Sequence, residues 1–261
     1  MADRKPAPLV SLVIPAYNEE TNLRRGVLAD VAEYLSGQEY EAEVIVVDDG
    51  SEDATAALVE GAKGRWPFVS LLQADHGGKA RAVAAGVRAA GGEYVFFTDT
   101  DQSTPIRHLG EALGKLRDGA DVVIGSRWLK GSSRLGEPLI RNAGGKAYSL
   151  FIRALLLPGI SDSQCGFKGF RREVAAELFE GLVVFAEESG PVSGPRVTAF
   201  DVELLVQARE RGYKIAEIPV TWRHVETTRV SALRDGVRMV REALAVWMNR
   251  RRGMYGRRAG A

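Results

Sequence analysis

Five short apolar runs, each stopped by proline, glycine, a polar residue or acid, alternate along the first half of the chain with stretches of helical periodicity. Val10 to Ile14 ends at Pro15, Glu43 to Val47 at Asp48-Asp49-Gly50, and Val122 to Ile124 at Gly125-Ser126-Arg127; Val69 to Leu72 and Tyr94 to Phe97 lie between them. Runs of this length, rich in β-branched and aromatic residues, read as buried strands. The patterns at 19–36, 53–63, 79–90 and 105–118 predict helices. Such alternation gives an α/β fold, a doubly wound, mainly parallel sheet with helices on both faces. Parallel strands share a direction, so the stops at Pro15, Asp48 and Asp99 gather at one sheet edge, where open α/β sheets bind ligands.

The run Tyr94-Val95-Phe96-Phe97 is the most telling of these, because it stops at two carboxylates spaced i and i+2, Asp99 and Asp101. Two carboxylates at one edge repel each other unless a positive charge lies between them, and a hard divalent ion carrying a diphosphate supplies it. The same residues serve equally as a helix start, since Asp101-Gln102-Ser103-Thr104-Pro105 places a proline where a first helical turn accepts one.

At 261 residues and 45% hydrophobic content, the chain has enough apolar material for one large core, and no Pro/Ser-rich linker divides it. The formal charge of +1 argues against a nucleic-acid partner. Positive charge concentrates locally, in the 249–261 segment that contains Arg250-Arg251-Arg252 and Arg257-Arg258. That segment reads as a solvated basic tail or as one drawn to anionic lipid headgroups. The single cysteine, Cys165, excludes an intrachain disulfide and points to a cytoplasmic setting. Residues 1–8 form a disordered lead without a signal-peptide core, and no uninterrupted run reaches the roughly eighteen apolar residues of a membrane span.

The second half is less regular. A helix over 141–157 carries more apolar residues than one buried stripe needs; Phe167 to Phe170 reads as a short strand, 172–181 and 200–211 as helices, and Lys214 to Ile218 as a strand leading to Val220-Thr221-Trp222. Glycines and prolines within 187–196 read as a flexible loop that permits a lid. Leu233, Val237, Val240, Leu244 and Trp247 follow helical spacing with arginines on other faces, so 232–248 is an amphipathic helix suited either to a membrane surface or to packing on the sheet. His76, His108 and His224 are scattered and form no metal-ligand pattern.

Several motifs occur in a fixed order: Val13-Ile14-Pro15-Ala16-Tyr17-Asn18-Glu19-Glu20, Val46-Val47-Asp48-Asp49-Gly50-Ser51, Gly77-Gly78-Lys79, Asp99-Thr100-Asp101 and Gly125-Ser126-Arg127. Together they resemble glycosyltransferase family 2 with its GT-A fold. Gln164-Cys165-Gly166-Phe167-Lys168, Phe200-Asp201-Val202-Glu203 and Ile218-Pro219-Val220-Thr221-Trp222 resemble the dolichyl-phosphate and polyprenyl-phosphate glucosyltransferases, with the dolichyl-phosphate mannose synthases next.

That resemblance, covering residues 9–248, implies a nucleotide-binding half at 9–127 and an acceptor half at 128–231 within one GT-A domain. It implies that Pro15, Ala16, Tyr17, Glu19 and Asp49 hold the base and ribose of a nucleotide-sugar, with Lys79 near a phosphate. Asp99 and Asp101 would hold Mg2+ or Mn2+, and Ser103 stands where relatives carry a third oxygen ligand. Arg127 and Arg141 match acceptor-phosphate positions, with Arg223 and Arg229 after the Pro-Val-Thr-Trp segment; Thr227-Thr228-Arg229 replaces a usual Gly-Ser-Lys. Asp201 lies where inverting relatives place a base, and is expected to position sugar hydroxyls or the acceptor arginines; a helix N-cap is its alternative.

The expected activity is therefore metal-dependent, inverting transfer of a hexose, glucose from UDP-glucose, to dolichyl or polyprenyl monophosphate. The enzyme would sit peripherally on the cytoplasmic face of a membrane, docked through helices 141–157 and 233–248. Mannosyl or N-acetylhexosaminyl transfer, a soluble or polysaccharide acceptor, and a non-catalytic nucleotide-sugar-binding scaffold subunit remain the alternatives.

Overall fold

The computed structural model of the chain describes residues 7–136, 139–186, 198–225 and 232–256. The expected 187–196 loop and Arg229 lie outside these residues, as do the last residues of the basic segment.

The predicted strands form as β1 (Val10–Ala16), β2 (Ala42–Asp49), β3 (Val69–Ala74), β4 (Tyr94–Thr98) and β5 (Val122–Ser126). Between them run α1 (Glu20–Arg24), α2 (Val27–Ser36), α3 (Thr55–Lys63), α4 (Lys79–Ala89), a 3-10 turn at Ile106–His108 and α5 (Leu109–Arg117). The helix expected over 19–36 is broken in two because Gly26 takes a left-handed conformation, φ +89°. The second half adds β6 (Ser133–Leu135), α6 (Leu139–Leu155), β7 (Phe167–Arg171), α7 (Arg172–Glu180), α8 (Phe200–Glu210), β8 (Ile215–Pro219), β9 (Thr221–Arg223) and α9 (Ala232–Arg251).

Among the described residues seven strands make one sheet in the order β3-β2-β1-β4-β7-β5-β8, and β6 pairs with β9 in a small second sheet. The chain runs outward from β1 to β3 and then returns to β4, so the strand order switches between β1 and β4, the crevice where doubly wound sheets receive ligands. All neighbours are parallel except β7, which runs antiparallel between β4 and β5, with Thr98 opposite Phe167. The start of β7 therefore meets the end of β4, and residues 164–166 arrive at the carboxylate edge.

Strand alternation divides the core into two layers. Val95 and Phe97 of β4 face a cluster with Val83, Phe170, Phe200 and Leu204, while Tyr94 and Phe96 face Leu28, Val31, Leu109 and Phe167 on the other side. Each of these fully buried side chains contributes about 1.5–3 kcal/mol. Helix α8 is buried along the whole of Phe200 to Ala208, so its acids Asp201 and Glu203 need internal partners.

Two further differences from expectation concern the C-terminal segment. Helix α9 continues through Arg251, and Tyr255, within the segment read as solvated, is only 1% exposed, its hydroxyl donating to Glu203 at 2.7 Å. The Glu203 carboxylate also accepts the N–H groups of Val183, Val184 and Phe185. An apolar core residue and a buried carboxylate thus fix a stretch that composition alone marks as polar.

Candidate active site

Strand β4 delivers Asp99 and Asp101 to the switch point, and the turn that follows fixes them. Gln102 adopts φ +49°, its N–H returning to the Asp99 carbonyl at 3.1 Å, while the Thr100 hydroxyl donates to the Pro15 carbonyl at 2.7 Å and ties the turn to the end of β1. Asp101 Oδ1 accepts the Ser103 N–H at 2.8 Å. Burial, then the neighbouring Asp99 charge, raises the Asp101 carboxyl above its ordinary value. Lys79, first residue of α4, places its ammonium on Asp99 Oδ1. Burial disfavours that ammonium, but Asp99, with Asp201 and Asp101 behind it, outweighs burial and holds it charged above the usual lysine range.

Gly166 closes the other side of Asp99. A Cβ there would lie 1.8 Å from Asp99 Oδ2, so only glycine lets the 164–166 loop approach so near.

These groups fit a hard divalent ion. Asp99, Asp101 and the Ser103 hydroxyl are oxygen donors. Beside them, Gln102 Nε2 donates to the Asp99 carbonyl at 3.0 Å and leaves Oε1 buried with no partner. No group of three or more His, Cys, Asp or Glu side chains suited to a metal occurs among the described residues.

At the end of β1, where a nucleotide is expected, the Tyr17 ring stacks on His76 with centroids 4.1 Å apart and planes 16° from parallel. His76 Nδ1 lies 2.9 Å from Asp49 Oδ2 and 3.0 Å from the Asp49 carbonyl, and the N–H groups of Gly77 and Gly78 donate to the same carboxylate at 2.8 and 2.9 Å. Asp49 therefore shapes the glycine loop before Lys79. The Glu19 N–H donates to Thr55 Oγ1 at 2.8 Å, and its carboxylate accepts from Asn22 at 2.5 Å. Ser51 accepts the Asn18 N–H at 2.9 Å, and Asp53 takes the Thr55 N–H at 2.9 Å at the start of α3.

Two of the residues expected around the acceptor, Arg127 and Asp201, have internal partners. Arg127 is committed: its Nε and Nη2 donate in a fork to Asp162, at 2.7 and 2.9 Å, and its backbone N–H adds a third bond at 3.0 Å. Burial opposes the guanidinium charge, but Asp162 outweighs it and raises the group; burial likewise raises Asp162, and Arg127 reverses this to a lowered carboxyl. The Arg127 guanidinium also stands 5.6 Å from the Trp222 ring centre. Asp201, expected to position substrate groups or cap a helix, pairs at 2.5 Å with Lys168, which is itself fully buried and donates to the Cys165 carbonyl at 2.6 Å.

Arg223 is exposed, and its N–H bonds the Ser103 carbonyl at 2.8 Å, joining β9 to the carboxylate turn. Arg141 lies on α6 with its side chain outside the described residues.

Pro15, Ala16, Tyr17, Asp49, Lys79, Asp99, Asp101 and Ser103 thus converge on one edge, with Asp201 within electrostatic reach of Lys79. Sequence reasoning missed Asp162, Lys168 and His76. Lys168 carried a signal: in a period-2 strand it shares a face with Phe170, and a lysine on a buried face needs a counter-ion. Asp162, inside Ser161-Asp162-Ser163, carried none.

Comparison with known proteins bears on the family and the fold. The family described as Glycosyl transferase family 2 matches residues 11–179. The glycosyltransferase AglD of Haloferax volcanii is 32% identical over 255 residues, covering 94% of this chain and 39% of the relative. A dolichyl-phosphate beta-glucosyltransferase, ALG5D, of Trichomonas vaginalis is 34% identical over 238 residues, covering 87% of this chain and 69% of the relative. The chain thus spans well under half of the first and about two thirds of the second. Among solved structures, the mannosyltransferase PcManGT of Pyrobaculum calidifontis, in complex with GDP-Man and Mn2+, superposes with a TM-score of 0.62 at 24% identity, over 93% of this chain and 65% of the other. The glucosyl-3-phosphoglycerate synthase of Mycobacterium tuberculosis, with Mn2+ and UDP, gives 0.62 at 20% identity, over 97% and 82%. At these identities the likeness is one of fold, and the fold is GT-A.

Proposed function

The chain belongs to glycosyltransferase family 2, and from that premise we propose that it transfers a hexose, glucose from UDP-glucose, to the phosphate of a dolichyl or polyprenyl monophosphate, with inversion. The observation that carries this reading is the state of Asp201. An alcohol acceptor needs a general base at the moment of attack, whereas a phosphate monoester, with a second pKa of about 6, is already anionic at neutral pH. The carboxylate in the expected base position is bound to the ammonium of a fully buried lysine. A site so arranged suits an acceptor that brings its own charge. The names of relatives such as ALG5D agree with this choice.

In this reading an acceptor phosphate oxygen attacks the anomeric carbon opposite the diphosphate, the bond from that carbon to the donor's β-phosphate oxygen breaks, and UDP leaves with the electron pair; no proton is removed from the acceptor. Asp99 and Asp101, with Ser103 and Gln102 beside them, would hold Mg2+ or Mn2+, which stabilises the charge on departing UDP. Lys79 offers a second cation to the diphosphate. Tyr17 supplies an aromatic face for the base, next to His76 and Asp49. Arg223, with Arg141 and Arg229, would attract the acceptor phosphate, while Arg127 in its fork with Asp162 shapes the wall behind it.

No helix among the described residues is long and apolar enough to cross a membrane. Val237, Val240, Leu244 and Met248 are nevertheless exposed at helical spacing along α9, with Arg241, Arg251 and Arg252 on the same side. An apolar stripe bordered by arginines suits an anionic lipid surface, from which the acceptor would be drawn.

The test is transfer from a panel of radiolabelled UDP- and GDP-sugars to polyprenyl phosphate in detergent, with Mg2+, Mn2+ or chelator. A chelator-sensitive, acid-labile lipid product from UDP-glucose is expected, and Asp101→Ala should remove it. A lipid product from GDP-mannose alone would change the donor. Nucleotide binding without any lipid product would defeat the acceptor assignment.

A further inference from the structure

We propose that Lys79 stands in for the divalent cation on Asp99 while the donor is absent, and thereby makes metal binding depend on the nucleotide. The inference rests on the metal and nucleotide-sugar reading above. The Lys79 ammonium sits on Asp99 Oδ1, and Gly166 lies against Oδ2 so closely that no Cβ would fit. A divalent ion on Asp99 Oδ1 must displace the ammonium, and an ion on either oxygen stands beside its positive charge. Both effects weaken the metal in the nucleotide-free protein.

A diphosphate changes this balance because it offers Lys79 anionic oxygens of its own. The lysine stands at the start of α4, behind the glycine pair that Asp49 holds in place, on the loop that also carries His76. Its four-carbon stem lets the ammonium exchange one oxygen for another without moving the helix. The pair is partly exposed, at 29% and 36% of the two side chains, so this exchange does not strand a charge in the core. Nucleotide and metal then strengthen each other's binding by the same factor.

A purely structural lysine makes the opposite prediction for a charge-removing variant, since disturbing Asp99 would weaken the metal. The full chain should therefore be titrated with Mn2+, following the free ion by electron paramagnetic resonance, with and without UDP, as the unaltered protein, Lys79→Met and Lys79→Arg. Lys79→Met should bind Mn2+ about ten-fold more tightly than the unaltered protein when UDP is absent, and gain less when UDP is added. Lys79→Arg, which keeps the charge, should stay weak. The proposal is overturned if Lys79→Met, with an unchanged circular dichroism spectrum, binds Mn2+ no more tightly without UDP. Adding Asp101→Asn to Lys79→Met must abolish the tight site; if it does not, the ion lies elsewhere and the metal reading itself fails.

Discussion

Lys79 pairs with Asp99 at the open edge of the sheet, with about a third of each side chain exposed, whereas Lys168 pairs with Asp201 behind it at 0% and 6% exposure. The chemistry is the same and the setting is opposite. An ion pair in contact with water can trade one partner for a ligand at small cost, because the released group is solvated again. A sealed pair cannot, because removing either member leaves a charge in low dielectric. The molecule thus keeps one partly exposed cation at the edge proposed to receive the donor and one buried cation beneath it, and Lys79 feels the carboxylates of both.

The contrast breaks if the two lysines respond alike. Lys168→Met should cost about 3–5 kcal/mol in denaturant unfolding, because Asp201 is left buried and unpaired, and Lys168→Met with Asp201→Leu should recover most of that loss. Asp162→Asn, which removes the charge and one of the two acceptors of the Arg127 fork, should cost about 1.5–3 kcal/mol. Its pH dependence sharpens the point. The folded-state carboxyl of Asp162 is lowered, so its contribution is present above the unfolded value of about 4 and disappears as pH falls through the still lower folded value. The Asn variant should lose that part of the acid limb.

Gly166→Ala should cost about 1–3 kcal/mol through overpacking against Asp99. It should also weaken Mn2+ binding in the presence of UDP, a loss that a simple packing defect elsewhere would not produce. At the small end, Lys79→Met should change stability by no more than about 1 kcal/mol, since both partners are partly exposed. Equal costs for Lys79→Met and Lys168→Met would sink the distinction between the two pairs.

What could be read in advance follows from the range of the interaction responsible. The strands at 10–16 and 94–98 and the acidic stop after Phe97 were legible because strand periodicity and an abrupt change of polarity are local properties. Asp99, Asp101 and Lys79 could be named because their motifs come in a fixed order, but their mutual contact could not. Arg127 was read as an acceptor-phosphate residue, and its tie to Asp162 was hidden because that counter-ion lies 35 residues away in a segment with the composition of a turn. Tyr255 was read as tail because its charged neighbours dominate local composition, while its partner Glu203 lies 52 residues earlier. The direction of β7 was equally hidden: Phe167-Lys168-Gly169-Phe170 specifies a strand and says nothing of which neighbours it will join.

That direction has a consequence for how the protein comes into being. Because β7 lies between β4 and β5, these two strands never touch, although both belong to the first half of the sequence. A nascent chain that has just emerged as far as Ser126 holds β5 with no edge to join, since its bonding partners, β7 and β8, are still to be synthesised. The ribosome thus delivers the sheet out of assembly order. The first four strands can settle early, while β5 must wait with its apolar side chains uncovered. A fragment cut after residue 127 would inherit the same gap, however complete its nucleotide motifs look on paper.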